Sequence, residues 1–387
     1  MLPRPSLSFM LPSIYDNTKL DCRVYHPPSL HDQSRRGVPW TGNAAVVAHP
    51  YAPLGGCFDD PIVDVTAGTL LELGFLVATF NFRGAASSDG RTSWTSKPEQ
   101  ADYVSVVGFL AYYVYYLVLP PAAYHATQHQ PPTMLLAGYS YGAMVTTRLP
   151  PLETILAYFA TPAVNTPEAD IRLRAQHLVE EQSVRFISSS RNEGTSGRSH
   201  DGRNPMSEFQ QEEQIQESVR SLLARAKLVY QESSHRSCQG EVDNKLQHCL
   251  EKVEGDVAFQ SAYLAVSPPI GLITRLVTLS FLNPLSSSWM RRSRPVTQDA
   301  SVSDDTPLAL NPTLVIYGEK DRFISYDEIH EWTQRLLEAN ASQFHYVEVA
   351  GAGHFWTEGH VVYRLRDAIG TFATKLGVRF IPTPQVT

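Results

Sequence analysis

Residues 135–143 read Leu135-Leu136-Ala137-Gly138-Tyr139-Ser140-Tyr141-Gly142-Ala143, and the fold turns on this stretch. An apolar run from Thr133 to Ala137 ends in a G-x-S-x-G pattern, which Ala143-Met144-Val145 follows. That order reads as a strand, a sharp turn and a helix. A serine at such a turn must adopt a strained backbone, and glycines two residues to either side remove the steric block. The helix that begins just beyond supplies free N–H groups for developing negative charge. The five-residue pattern alone is weak, and its place between strand and helix gives it weight.

Working outward, Lys19 to Tyr25 alternates and ends at Pro27-Pro28, which predicts an early antiparallel strand. Ala44 to Ala48 and Leu76 to Phe82 are short apolar runs, and Ile62 to Leu73 between them has helical spacing. A helix over 102–118 leads into Thr133. Toward the carboxyl end, Ser261 to Val266, Thr313 to Tyr317 and Phe344 to Val349 read as strands. Tyr326 to Ala339 and about 358–375 read as helices. Strand and helix in alternation predict a mostly parallel sheet with helices on both faces.

The rhythm breaks after Pro150. The expected organisation is a core of 1–150 and 259–387, with 151–258 as an insertion. Residues 186–206 are rich in Ser, Arg, Gly and Asn, too polar to offset their ordering entropy, so part of the insertion is expected to be disordered. Within it, Ser207 with Gln210 resembles a capping box, and Ile215, Val219, Leu222, Leu223 and Ala226 share one face of an amphipathic helix over about 207–230. That helix is a candidate surface for a protein partner. The stretch from about Phe186 to Gly255 is expected to be dispensable for the chemistry.

The chain has 387 residues, of which 43% are hydrophobic and 18% charged, enough to bury a sizeable core. A net charge of −7 argues against a phosphate-backbone binder, so no nucleic-acid partner is expected. Four cysteines, Cys22, Cys57, Cys238 and Cys249, are too sparse for a disulfide framework, and reduced thiols in a cytoplasmic setting follow. Residues 1–20 lack the apolar stretch of a secretory signal. Val104 to Pro120 is apolar but holds four tyrosines, and is read as a buried core helix rather than a membrane span. His235, Cys238, His248 and Cys249 match no zinc spacing, and neither a metal nor a cofactor is expected.

A nucleophilic serine needs a base, and the base needs a group to orient it. Gly351-Ala352-Gly353-His354 follows the last strand, and Gly318-Glu319-Lys320-Asp321 follows the strand before it. Both lie at carboxyl ends of strands, where open α/β sheets place their ligands.

The chain resembles the α/β-hydrolase superfamily, close to the compact branch whose third strand ends in His-Pro. The likeness covers about 14–150 and 260–380. AHPYAPLGG (48–56), LGFLVATFNFRG (73–84), LLAGYSYGA (135–143), LVIYGEKD (314–321) and VAGAGHFW (349–356) carry it. The resemblance implies an α/β-hydrolase fold, with Ser140 as nucleophile, His354 as base and Asp321 as acid, Glu319 being the alternative acid. It implies an oxyanion hole from the Tyr141 N–H, with Tyr51 chosen for the second donor because Pro50 has none. Tyr139, Phe355 and Trp356 are candidate walls of a pocket for a small ester. Strand six is placed at 261–266; the rival alignment puts it at Thr154 to Ala160 and makes the rest a lid. The expected activity is ester cleavage through an acyl-enzyme. A thioesterase, a small-peptide peptidase and a non-catalytic binding protein on the same fold are the alternatives.

Overall fold

The computed structural model describes residues 1–31, 40–118, 131–192, 212–224, 249–270 and 306–377. Its strands are β1 (Leu7–Pro12), β2 (Lys19–Tyr25), β3 (Ala44–Ala48), β4 (Leu76–Phe80), β5 (Thr133–Tyr139), β6 (Gln260–Val266), β7 (Thr313–Gly318) and β8 (Phe344–Val349). They form one sheet in the order β1-β2-β4-β3-β5-β6-β7-β8. Only β2 runs against its neighbours, pairing antiparallel with β1 and β4. From β4 through β8 every pairing is parallel.

Central strands β3, β4, β5 and β7 are buried along their whole length, as strands covered on both faces must be. Alternate side chains feed two separate cores. Ala44, Val46, Met134, Leu136 and Tyr263 face one cluster; Ala45, Val47, Leu135, Ala137 and Leu264 face the other. The second is closed by α1 (Pro61–Glu72) and, from the far end of the chain, α8 (Val361–Gly377). The first is closed by α2 (Lys97–Val118), α3 (Tyr141–Thr146), α4 (Leu152–Ala160), α5 (Pro167–Asn192), α6 (residues 212–224) and α7 (Tyr326–Ala339). α2 is long and apolar enough to cross a membrane by composition, yet most of it is buried inside the protein, as the sequence predicts for a core helix.

Strand six falls at Gln260–Val266, between β5 and β7, while Thr154 to Ala160 lies in helix α4. The rival placement of that strand is therefore excluded. Three further elements differ from expectation. β1 was not expected, because prolines crowd both of its ends; it is an edge strand, where proline is tolerated, and Leu7, Phe9 and Leu11 alternate into the core. β4 stops at Phe80, two residues early. The Asn81 N–H still reaches the Asp21 carbonyl of β2 at 2.8 Å, but the Phe82 N–H donates to His49 Nε2 instead of to a neighbouring strand.

α5 was also unforeseen. Its periodicity is interrupted by Arg172 and Arg174, both buried. Arg174 pairs with Asp170 at 3.1 Å and Glu212 at 2.9 Å, and Arg172 donates to the carbonyls of Ala160 and Glu251. The amphipathic helix expected over 207–230 is present at 212–224, with Ile215 and Val219 fully buried in the first core. Its Glu212 also accepts the Met10 N–H of edge strand β1 at 3.2 Å. The remainder of the stretch read as disordered, 193–206, lies outside the described residues, as do His235, Cys238 and His248.

Candidate active site

β5 ends in Tyr139, and the chain turns through Ser140 into α3. Ser140 has φ 53° and ψ −116°, a conformation that costs about 1–3 kcal/mol for a residue with a side chain. The turn is held at both ends. The Ser140 N–H donates to the Val266 carbonyl at 2.8 Å, and the Ser140 carbonyl accepts from the Met144 N–H at 3.0 Å. The two glycines of the pattern are required by packing. A Cβ on Gly138 would lie 2.3 Å from the Gly142 backbone, and one on Gly142 would lie 2.6 Å from the carbonyl oxygens of Ala48 and His49. Close contact between helix and sheet pushes the Ser140 hydroxyl out at the carboxyl edge of the strands.

His354 and Asp321 arrive there from the loops after β8 and β7. Ser140 Oγ lies 2.8 Å from His354 Nε2, and His354 Nδ1 lies 2.7 Å from Asp321 Oδ2. A carboxylate can only accept, so Nδ1 carries the proton and Nε2 is left to accept from the serine. The Asp321 side chain is 1% exposed, and its other oxygen accepts the Phe323 N–H at 2.9 Å. Glu319, the alternative acid, points elsewhere: it is exposed and accepts the Gly351 N–H at 2.9 Å, bracing the turn that precedes His354. Tyr139 adds a second brace, its hydroxyl donating to the His354 carbonyl at 2.8 Å.

A cavity of about 420 Å³ opens onto Ser140 and His354. Tyr51, Tyr139, Tyr141, Met144, Phe323 and Phe355 are among the residues of its apolar wall. Of the residues expected to shape it, Tyr139 and Phe355 do so. Trp356 does not: a positive φ of 56° turns it inward, it is 2% exposed in the second core, and its Nε1–H donates to Ser267 Oγ. Tyr141 is the first residue of α3, so its N–H has no partner within the helix. Tyr51 is the third residue of the loop after β3, and its ring lies 5.1 Å from that of Tyr141.

Two polar residues of this region escaped the sequence reading. His49 is fully buried; its Nε2 accepts the Phe82 N–H, so Nδ1 donates to the Pro50 carbonyl at 2.6 Å. Burial lowers its pKa to about 4, so the ring stays neutral and pins the loop that carries Tyr51. Asp60 caps α1, with Oδ1 accepting the Ile62 N–H at 2.8 Å, and it also lines the cavity. Burial raises its pKa, opposed by the Ile62 and Val63 N–H groups and the nearby His354. The signal for Asp60 was the Asp60-Pro61 pair before a helical run, which announces a cap but not a cavity.

A family model described as "Alpha/beta hydrolase family" matches residues 45–362. No curated protein matches the sequence. Among solved structures, XC6422 from Xanthomonas campestris, described as an α/β serine hydrolase without a lid, is 18% identical. That match covers 99% of each chain with a TM-score of 0.46. The Pyrococcus furiosus esterase Pf2001 is 14% identical over 95% of this chain and 90% of its own, with a TM-score of 0.45. Est1E from Butyrivibrio proteoclasticus is 11% identical over 97% of this chain and 100% of its own, with a TM-score of 0.44.

Proposed function

The chain belongs to the alpha/beta hydrolase family, and on that premise we propose that it is a serine hydrolase cleaving carboxylic esters through an acyl-enzyme. The observation that carries this reading is the continuous relay from Ser140 Oγ through His354 to Asp321, at 2.8 and 2.7 Å, on the wall of an apolar cavity. His354 Nε2 takes the serine proton as Oγ attacks the ester carbonyl carbon. The carbonyl π electrons move onto oxygen. The N–H groups of Tyr141 and Tyr51 bind that oxyanion, a contribution of about 3–4 kcal/mol per donor in comparable sites.

Collapse of the tetrahedral intermediate re-forms the carbonyl and breaks the bond to the alkoxy oxygen, which receives the proton from Nε2. Water then attacks the acyl-enzyme, with His354 as base, and the acid leaves as Ser140 regains its proton. Asp321 holds the tautomer throughout and stabilises the imidazolium.

The test is a pre-steady-state assay with p-nitrophenyl esters of increasing chain length, alongside a thioester and an anilide. A burst of nitrophenol approaching one equivalent per chain supports the acyl-enzyme. A preference for the thioester or anilide over every oxygen ester moves the activity to that bond. Absence of turnover on the whole panel makes the chain a binding protein on a hydrolase fold.

A further inference from the structure

The cavity wall contains one acidic side chain, Asp60, amid rings from Tyr51, Tyr139, Tyr141, Phe323 and Phe355. Among the described residues no lysine, arginine or histidine lies within ion-pair distance of Asp60, and the wall contains neither lysine nor arginine. The carboxylate is half-buried. Its compensation comes from the amino end of α1, where the helix dipole and two N–H groups favour the anion, and in smaller part from His354 nearby. Capping accounts for a residue of this kind at this position. Asparagine or serine would cap as well, so capping does not call for the charge.

What the charge does is set the potential of the cavity. A carboxylate facing apolar surroundings with no cation in direct contact is costly, and a cation entering beside it recovers that cost. Aromatic rings act in the same direction, because their quadrupoles attract cations and repel anions. A neutral ligand gains from neither, and an anionic one is repelled by both. Resting on the esterase reading, we propose that the cavity selects esters bearing a protonated or quaternary ammonium group, which sits between Asp60 and the aromatic wall.

The test compares two esters of one acid, the choline ester and the 3,3-dimethylbutyl ester, which match in shape and differ by the charge on one atom. The ratio of their kcat/KM values is measured for the wild type and for Asp60→Asn, which keeps the helix cap. The expected result is a wild-type preference for the cation of about tenfold or more, reduced at least fivefold in the variant. A wild-type ratio of one or less overturns the proposal. So does an unchanged ratio in Asp60→Asn with both rates lowered equally, since Asp60 would then act through His354. Calorimetric binding of phenyltrimethylammonium, which needs no turnover, is the companion measurement. A protein that binds this cation, binds it at least fivefold more weakly as Asp60→Asn, and cleaves no ester retains the site and loses only the esterase reading. One that cleaves neutral esters without binding the cation loses the inference and keeps the reaction.

Discussion

Asp321 and Glu319 stand two residues apart on one loop, and their surroundings separate their roles. Asp321 is shielded from water and bonded to His354 Nδ1, whereas Glu319 is exposed and bonded to a backbone N–H. Replacing Asp321 with Asn puts an NH₂ or an uncharged oxygen against Nδ1, so both the tautomer and the charge support are lost. A fall in kcat of about 10³–10⁴-fold is expected, with KM little changed. Glu319→Gln keeps an acceptor for Gly351 and is expected to stay within a few-fold of wild type. The reverse ranking would make Glu319 the acid.

His49 carries a pH prediction of its own. Its ordinary pKa is near 6.5 and burial holds it at about 4, so between those values the unfolded chain binds a proton that the folded protein refuses. Stability from this group is complete above about 6.5 and falls as pH drops toward 4, by on the order of 3 kcal/mol. Denaturant melts at pH 7 and 4.5 should show a larger loss for the wild type than for His49→Gln. Equal losses would contradict the assigned burial.

A methyl group added to a glycine helps or harms according to what it meets. A methyl group at Gly142 meets the carbonyls of Ala48 and His49, both backbone, so the α3 helix must move off the sheet. Gly142→Ala is expected to lose about 1–3 kcal/mol of stability and most of its activity. Gly370, in the interior of α8, meets nothing within 4 Å, and Gly370→Ala is expected to gain about 0.5–1 kcal/mol. Thermal melts of the two variants check both signs.

Helices α5 and α6 also pack into the core. Ile215 and Val219 of α6 are buried against the core that α2 serves, and Glu212 ties α6 to both α5 and β1. Ile215→Ala is therefore expected to cost about 2–5 kcal/mol, and removal of 186–255 to lower the melting temperature rather than pass unnoticed. A deletion that melts with the wild type would contradict the packing of α6 into the core, whereas dispensability for the chemistry is read from the activity that the deletion keeps.

At the scale of the whole molecule, the parallel strands and the order serine, acid, histidine were legible because each rests on a local pattern. Apolar runs end in Gly or in His-Pro, and the three residues that the structure brings together sit just past them. The less legible parts depend on partners distant in sequence. Arg172 and Arg174 look like a solvated face until the Glu251 carbonyl and the Glu212 carboxylate are brought to them. Asp60 reads as a helix cap until Tyr139 and His354 arrive on the other side of the cavity. Trp356 follows the histidine closely enough to suggest a pocket wall, and only its backbone conformation sends it into the core.

In the proposed reaction, the sheet's carboxyl edge presents Ser140 as an activated nucleophile. The most direct measurement is labelling of the full chain with a fluorophosphonate, followed by mapping of the adduct by peptide mass spectrometry. One phosphonyl group per chain on Ser140, with none bound by a Ser140→Ala variant that melts like the wild type, is the predicted result. An unlabelled wild type, or an adduct on another residue that persists in Ser140→Ala, would contradict it.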